Sequence, residues 1–146
     1  MIRLTKNEEK ALQIAIEAHE GQKDKVGKPY VLHPITVGFM GENEAEMIVG
    51  FLHDVVEDTS VSIEDLEKAF DKDITDALQL LTHDKSEPYW TYVDRIKNSG
   101  NKLALAVKTN DLKHNIIRGT IAGLDTSKHQ KALRILEGFK DSGIQS

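Results

Sequence analysis

Apolar residues recur at intervals of three and four along most of this chain, and this periodicity constrains the fold more than any other feature. In the first segment Ala11, Leu12, Ala15 and Ile16 follow the spacing, which places them on one face of a helix. The pattern returns in later segments, and we find no pair of segments with the alternation typical of paired strands. The sequence therefore predicts an all-α fold.

Eight segments carry this pattern, which predicts a single helical bundle of about seven or eight helices. They run from a cap at Thr5 to Gly21 and then cover residues 33–39, 44–56, 62–70, 73–82, 86–100, 103–117 and 127–139. Ser62 and Asp65 resemble a capping box at the start of one of them. The segment 44–56 is apolar on most sides, which favours a central position. Because 146 residues is the usual size of one domain, we expect residues 1–146 to form a single domain.

The composition excludes several classes of function. There are no cysteines, which rules out disulfide frameworks, thiolate metal sites and cysteine nucleophiles. The formal net charge is −5, so the chain lacks the overall basic character of nucleic-acid-binding proteins. No apolar run approaches the ~20 residues of a membrane span. We expect a soluble, cytoplasmic protein that binds neither nucleic acid nor membrane, and the sequence leaves open whether it forms an oligomer.

Charged residues cluster where the most apolar predicted helix ends. His53 and Asp54 directly follow an apolar run, and Glu57 and Asp58 come four residues after them, so each pair would share a helix face. A divalent cation would hold carboxylates that otherwise repel one another. The alternative is a solvated helix end, although acidic residues there oppose the helix macrodipole.

Two further segments strengthen the interpretation as a metal site. His33 stands just before a proline at the start of a predicted helix, and Asp111 and Asn115 lie four apart on another helix that is otherwise apolar. Two imidazoles (His33, His53) and two carboxylates (Asp54, Asp111) would form a mixed nitrogen and oxygen site suited to manganese, iron or zinc. Each residue alone is more often structural, but four drawn from three separate parts of the fold favour a common ion.

Taken together, these residues resemble the His…His-Asp…Asp pattern of the HD-domain metal-dependent phosphohydrolases, which are all-α. The closer resemblance is to the hydrolase domain of RelA/SpoT-type enzymes and to the stand-alone small alarmone hydrolases. It is carried by the stretches 18–22, 27–34, 52–59 and 111–115, which read AHEGQ, GKPYVLHP, LHDVVEDT and DLKHN. The resemblance implies removal of the 3′-pyrophosphate from guanosine tetra- and pentaphosphate, usually with manganese.

The resemblance also implies a role for individual residues. The metal ligands would be His33, His53, Asp54 and Asp111. Glu57 and Asp58 would orient or deprotonate the attacking water. Asn115 would contact the sugar or phosphate of a small anionic nucleotide, and Tyr30 and Lys25 would line its pocket.

The chain departs from the family pattern at one position. The family commonly carries a basic pair before its Gly-x-Pro-Tyr motif, and the first member helps to hold the guanine base, whereas this chain has Asp24 and Lys25. Lys23 could substitute if the loop shifts by one residue. Otherwise guanine recognition is weakened, so one alternative is an HD phosphohydrolase for another nucleotide. A second alternative is a non-catalytic HD module that senses a nucleotide.

Other polar and aromatic residues receive structural interpretations. On a helix His114 points about 100° away from its neighbour Asn115, so we leave it out of the predicted site. We expect His83 and His129 at the surface, His19 as a hydrogen-bonded structural residue, and Tyr89, Trp90 and Tyr92 as helix-packing residues.

Overall fold

The computed structural model describes residues 3–138, and within that range it is built from helices. The nine helices of these residues are α1 (Lys6–Ala18), α2 (Leu32–Phe39), α3 (Glu44–Leu52), α4 (Val55–Asp58), α5 (Ile63–Glu67), α6 (Lys72–Leu81), α7 (Tyr89–Asn98), α8 (Lys102–Ile121) and α9 (Ser127–Leu136). The β-structure of residues 3–138 is an isolated bridge between Lys23 and Pro29, which closes the loop before α2. The all-α prediction is confirmed.

Side-chain caps fix where several helices begin. Thr5 and Glu8 form a reciprocal capping box at the start of α1, as the Thr5 hydroxyl accepts from the backbone of Glu8 and the Glu8 carboxylate accepts from that of Thr5. The box predicted from Ser62 and Asp65 is present at α5. α7 begins one residue after Pro88, not at Ser86. The last predicted helix was extended to Phe139, which lies outside the described residues.

The helix predicted over 44–56 is not continuous, and this part of the prediction was wrong. α3 ends at Leu52, and the short helix α4 begins at Val55. At the break, His53 Nδ1 lies 2.6 Å from the carbonyl oxygen of Gly50. The imidazole therefore forms a hydrogen bond with one of the carbonyl groups that the end of α3 leaves without a helical partner. Asp54 adopts φ −104° and ψ 0°, outside the regular helical range. The break separates the acidic residues of α4 from the buried helix α3.

α3 is the central helix, as its apolar character predicted. It packs against α1, α2, α6 and α8, and Val49, Phe51 and Leu52 are fully inaccessible to solvent. α2 crosses α3 with the two backbones in contact, since a Cβ built on Gly50 would stand 2.7 Å from Gly38 Cα. No helix within residues 3–138 combines the length and the apolar character that crossing a lipid bilayer requires.

Candidate metal centre

Three separate parts of the fold bring the four predicted ligands together. His33 lies in the first turn of α2, His53 and Asp54 form the break between α3 and α4, and Asp111 lies in the middle of α8. The side chains of His33, His53 and Asp111 are buried, and that of Asp54 is mostly buried. Because α3 packs against both α2 and α8, residues that are up to 78 positions apart in the chain share one site.

The distances are those of a compact polar cluster. One potential ligand atom from each of His33, His53 and Asp54 lies within 4.8 Å of the others. The Asp111 Oδ1 atom is 2.7 Å from His33 Nε2 and 3.2 Å from His53 Nε2. A further contact of 3.1 Å joins His53 Nε2 to Asp54 Oδ2. The four side chains therefore point their polar atoms at one small volume.

Within the cluster, the buried carboxylates and the buried cations compensate each other's charge. Burial disfavours a charged imidazolium at His53, but the Asp54 and Asp111 carboxylates outweigh it and raise the pKa of His53 well above its ordinary value. Burial also opposes ionisation of Asp111, yet Lys108 and His53 hold the pKa of Asp111 well below its usual range. Burial lowers the pKa of His33, which stays neutral. Two carboxylates thus face one imidazolium and one ammonium.

This donor set fits a divalent metal ion. Two imidazole nitrogens and two carboxylate oxygens are donors that manganese, iron and zinc accept. A divalent charge can replace the protonated His53 as the partner of the two carboxylates, since metal ligation requires a neutral imidazole. The residues predicted from the sequence can therefore hold such an ion with their charges compensated.

A second layer of side chains holds the potential ligands in place. Lys108 Nζ donates to Asp111 Oδ2 at 2.9 Å, and Asn115 Nδ2 donates to Asp111 Oδ1 at 3.1 Å. The Tyr30 hydroxyl donates to Asp54 Oδ2 at 2.6 Å. Hydrogen bonds of this kind fix the orientation of metal ligands and tune their basicity. Tyr30 and Asn115, predicted to contact a nucleotide, thus lie directly beside the cluster.

The structure brings His114 into the site, although the sequence analysis left it out. His114 Nδ1 is 2.8 Å from His33 Nδ1, and the two rings stack with an interplanar angle of 10°. Burial and the nearby His33 lower the pKa of His114 to about 4, so it is neutral at pH 7. The prediction compared His114 only with Asn115. Its spacing of three from Asp111, which places both on one side of the helix, was the signal that could have found it.

Glu57 and Asp58 lie at the rim of the cluster on α4, and both are exposed. Glu57 Oε1 accepts a hydrogen bond of 2.9 Å from the backbone N–H of His83, and Glu57 lines one cavity together with His53 and Asp54. Partial desolvation and the Asp54 and Glu57 carboxylates raise the pKa of Asp58 to about 6. Asp58 can therefore be ionised at neutral pH beside the potential metal ligands.

The loop before α2 explains the unusual Asp24. Its carboxylate accepts from the backbone N–H groups of Val26 and Lys28, each at 2.9 Å, so it holds the turn in shape. Lys25 is exposed on this turn and, within the described residues, forms no hydrogen bond or ion pair with the four potential ligands. The guanidinium carbon of Arg118 is 5.7 Å from the centre of the Tyr30 ring, and Arg118 donates to Asn115 Oδ1. Arg118 is thus the cation that contacts Tyr30 and Asn115.

Two of the histidines expected at the surface are partly buried. His83 Nε2 lies 2.6 Å from the carbonyl oxygen of Glu87, and the residue lines the cavity beside the cluster. His129 is half-buried on α9, and its Nδ1 atom is buried without a hydrogen-bond partner. The buried His19 contacts Gln22 through Nδ1 at 2.9 Å, as expected of a structural residue. His83 and His129 are therefore only partly exposed at the surface.

Comparison with known proteins places this geometry in a family. Residues 11–108 match the HD domain. The chain is 30% identical over 145 residues to a probable guanosine-3′,5′-bis(diphosphate) 3′-pyrophosphohydrolase of Synechocystis, covering 90% of this chain and 18% of that protein. It is 35% identical over 113 residues to the guanosine-3′,5′-bis(diphosphate) 3′-pyrophosphohydrolase of Borreliella burgdorferi, covering 75% and 17%.

A solved structure agrees in fold. A metazoan ortholog of SpoT, described as hydrolysing ppGpp, superposes with a TM-score of 0.74 at 27% identity, over 94% of this chain and 89% of that one. The chain spans less than a fifth of the length of the two curated relatives. It matches the HD domain over more than half of its length and carries the His and Asp cluster, and we conclude that it belongs to the HD domain family.

Proposed function

We propose that this protein is a divalent-metal-dependent phosphohydrolase that removes the 3′-pyrophosphate from guanosine tetra- and pentaphosphate, with manganese as the metal. The observation that carries the proposal is the convergence of His33, His53, Asp54 and Asp111 on one small volume. The proteins with similar sequence and fold that are named for this reaction support the choice of substrate.

In the proposed mechanism His33, His53, Asp54 and Asp111 would hold the ion. A divalent ion held there would supply an activated nucleophile, because it lowers the pKa of bound water by several units, towards about 7. Tyr30 keeps Asp54 oriented through its 2.6 Å hydrogen bond. Asp111 is oriented in the same way by Lys108 and Asn115.

Glu57 and Asp58 accept the proton in this mechanism. Glu57 lines the cavity beside His53 and Asp54 and is anchored by the backbone of His83. Asp58, with its pKa raised to about 6, is largely ionised at pH 7 yet basic enough to take a proton. The water oxygen bonds to the phosphorus attached to the ribose 3′ oxygen, the bond from phosphorus to that oxygen breaks, and pyrophosphate leaves while the ribose 3′ oxygen takes up the proton as a hydroxyl.

The substrate is strongly anionic, and the protein carries a net charge of −5, so local cations have to attract it. Lys108 and Arg118 lie beside the cluster, where they face Asp111 and Tyr30. Arg118 and Tyr30 together offer a guanidinium and an aromatic ring to the nucleotide, with Asn115 between Arg118 and Asp111. Lys25 remains a proposed pocket residue, since its exposed turn leaves its side chain free to meet a ligand.

One observation favours a second candidate, an HD phosphohydrolase that acts on another nucleotide. Asp24 stands where the family carries a base that holds guanine, and its carboxylate is committed to the backbone of its own turn. A cationic side chain at position 24 would lose the two hydrogen bonds that the Asp24 carboxylate accepts from its own turn, so the turn would have to change. Recognition of the base would then rest on Tyr30 and Arg118, which are not specific to guanine.

A substrate panel tests the proposal. The purified protein is reconstituted with Mn²⁺, and the release of pyrophosphate from guanosine tetraphosphate is measured beside the matching adenosine compound and common nucleotides. Manganese-dependent release from guanosine tetraphosphate is the expected result. Release from other nucleotides alone selects the second candidate, and metal binding without turnover on any nucleotide leaves a non-catalytic nucleotide-sensing module.

The cellular setting is proposed on composition. A chain without cysteine suits the reducing cytoplasm, where small nucleotides are dissolved, and its net charge of −5 disfavours nucleic acid as a partner. We propose that residues 1–146 form one domain, which is supported by the core that the helices of residues 3–138 share.

A further inference from the structure

The side chain of Gln22 connects the end of α1 to the end of α4, across 36 positions of the chain. His19 Nδ1 lies 2.9 Å from Gln22 Oε1, and Gln22 Nε2 donates to the backbone carbonyl of Asp58 at 2.9 Å. Because the amide nitrogen of Gln22 donates to a carbonyl, the amide oxygen accepts, and the His19 ring therefore carries its proton on Nδ1. One amide group thus joins a histidine of the first helix to the acidic segment beside the metal cluster.

His19 gives this connection a fixed base. It lies directly after α1, which packs against α3, and only 1% of its surface is exposed. Its ring is 5.3 Å from the Tyr30 ring, and the backbone carbonyl of Gln22 accepts from the Tyr30 N–H at 2.8 Å. Gln22 is therefore held by its main chain at Tyr30 and by its side chain at His19, which leaves the amide Nε2 aimed at Asp58.

α4 needs such a contact from outside. It has four residues, and a single helical turn is not stable by itself. None of the principal helix pairs within residues 3–138 includes α4. In this part of the chain two hydrogen bonds reach α4 from distant residues, one from the backbone N–H of His83 to Glu57 and one from Gln22 to Asp58.

The two acids of α4 differ in how they are held. The Glu57 carboxylate itself accepts the hydrogen bond from His83. The Asp58 carboxylate forms no hydrogen bond within the described residues, so its position follows from its backbone. The Gln22 amide is the side chain that fixes this backbone.

We propose that Gln22 is a positioning residue, which keeps the Asp58 carboxylate at the rim of the metal cluster by holding the Asp58 carbonyl, with His19 orienting its amide. The inference rests on the proposed function, in which Asp58 accepts a proton, and it adds a residue that has no part in that mechanism so far. Gln22 acts through Asp58 and not through the metal ligands or the nucleotide.

The variant Gln22→Met tests this role, since it keeps the length of the side chain and removes both hydrogen bonds. With Mn²⁺-loaded protein and guanosine tetraphosphate, we expect kcat to fall about tenfold, the factor that corresponds to about 1.4 kcal/mol. KM and manganese content should stay unchanged, because the contact with Tyr30 comes from the Gln22 main chain. The control is Gln13→Met, which removes a 2.7 Å hydrogen bond to Glu17 on the exposed side of α1 and should leave kcat within about twofold of wild type.

A double-mutant cycle with Asp58→Asn separates positioning from a general loss of stability. If Gln22 acts through the Asp58 carboxylate, Gln22→Met should lower kcat by less than about twofold in the Asp58→Asn background. Equal losses in both backgrounds would overturn the proposal, and so would a kcat of Gln22→Met within twofold of wild type. A raised KM with unchanged kcat would overturn it as well, since Gln22 would then contact the substrate.

Hydrogen exchange gives a readout that needs no turnover. The amides of Asp58 and Thr59 close the turn of α4, and in Gln22→Met they should exchange about tenfold faster, while the amides of α3 keep their protection. Gln22→Glu keeps the oxygen that accepts from His19 but lacks the donor to Asp58, so it should show the same change.

The outcomes for Gln22 and for the proposed function can be told apart. If these amides exchange faster but the wild-type protein releases no pyrophosphate from guanosine tetraphosphate, Gln22 holds α4 and the proposed function is wrong. If the wild-type protein releases pyrophosphate and neither Gln22 variant changes exchange or kcat, the function stands and the positioning role is wrong.

Discussion

At the scale of single residues, the site is organised around one buried carboxylate. Asp111 receives contacts from His33, His53 and Asn115 on Oδ1 and from Lys108 on Oδ2. A buried charge is tolerated only with partners of this kind, and removing one partner leaves an uncompensated charge. The roles of the surrounding residues can therefore be separated by what each variant does to metal binding and to turnover.

Substitutions of the potential ligands should differ from substitutions of the proton acceptor. His53→Ala or Asp54→Ala should abolish both metal retention and turnover, because each removes a donor atom. Glu57→Ala should lower turnover by about 10²- to 10⁴-fold, the usual contribution of a general base, while metal binding persists. Elemental analysis and an activity assay check this. Undiminished metal in both the His53 and the Asp54 variant would refute the ligand assignment.

His114 should act on metal affinity through His33. His114→Ala removes the partner of His33 Nδ1, 2.8 Å away, and should weaken metal binding by about 10- to 100-fold, as losses of such second-layer contacts do. His114→Asn, whose amide can replace the hydrogen bond, should recover part of the affinity. Lys113→Ala, on the exposed face of the same helix, is the control. Equal metal affinity for His114→Ala and Lys113→Ala would show that His114 only fills space.

Asp58 should make the metal-free protein lose stability as the pH rises. Its pKa is raised from 3.8 to about 6 in the folded protein, so the folded state holds the proton more tightly than the unfolded chain. This contribution is largest below pH 4 and is lost between about pH 4 and 6. Asp58→Asn should therefore gain stability over wild type at pH 7 but not at pH 4. The gain should stay below about 1 kcal/mol, because solvent screens this exposed group.

Urea unfolding in the presence of a chelator at the two pH values measures this difference. Asp94→Asn, which removes an exposed carboxylate from α7 far along the chain, is the matched control and should show no such pH dependence. A gain of Asp58→Asn that is the same at pH 4 and pH 7 would contradict the assignment of the raised pKa.

At the scale of elements, the distance between His33 and His53 depends on how closely α2 and α3 cross. A Cβ at Gly50 would stand 2.7 Å from Gly38 Cα, and one at Gly38 would overlap the Phe51 ring. Only glycine allows this approach, which brings the first turn of α2 up to the end of α3. The break after Leu52 then turns His53 and Asp54 towards His33.

Gly50→Ala should separate the two helices and loosen the site. We expect a loss of about 1–3 kcal/mol in the free energy of unfolding from overpacking, with weaker metal binding because His33 moves from His53. Gly100→Ala is the control: its φ of +74° is strained for alanine, but no atom lies within 4 Å of the new Cβ. It should destabilise the fold without changing metal affinity. Unchanged metal affinity in Gly50→Ala would mean that the crossing does not position the ligands.

At the scale of the whole molecule, the metal site joins helices that the hydrophobic core already packs together. α3 contacts α2 and α8, and the three helices share the hydrophobic core, so we expect the fold to form without an ion. A chain of this size buries about 68–70% of its unfolded surface without metal. The ion adds a link between α2, the break after α3, and α8.

Removing the metal should therefore lower the Tm without unfolding the protein. A ligand that binds only the folded state adds RT ln(1 + [L]/Kd), about 2.7 kcal/mol at a hundredfold excess over Kd. Circular dichroism should show the same helical content before and after chelation, with a lower Tm after it. The Asp54→Ala variant should show no shift on chelation. Loss of helical signal on chelation would show that the fold itself requires the ion.

The sequence by itself determined the all-α class, most of the helices and the identity of the potential ligands. Helical periodicity and the His…His-Asp…Asp pattern are features of the sequence itself, and both can be recognised without knowing how the helices pack. The acidic stretch 53–58 was recognised in the same way, although its helix was wrongly drawn as continuous.

Only the tertiary structure decided the surroundings of those ligands. The break at His53, the pairing of His114 with His33, the loop role of Asp24 and the cavity beside the cluster depend on which helices meet, at what distance and at what angle. These relations arise from close packing between α2, α3, α7 and α8, and contacts between residues far apart in the chain leave no periodic signal in it. Local sequence patterns therefore predict which residues carry the chemistry of the site, whereas the packing of the helices decides how those residues are arranged.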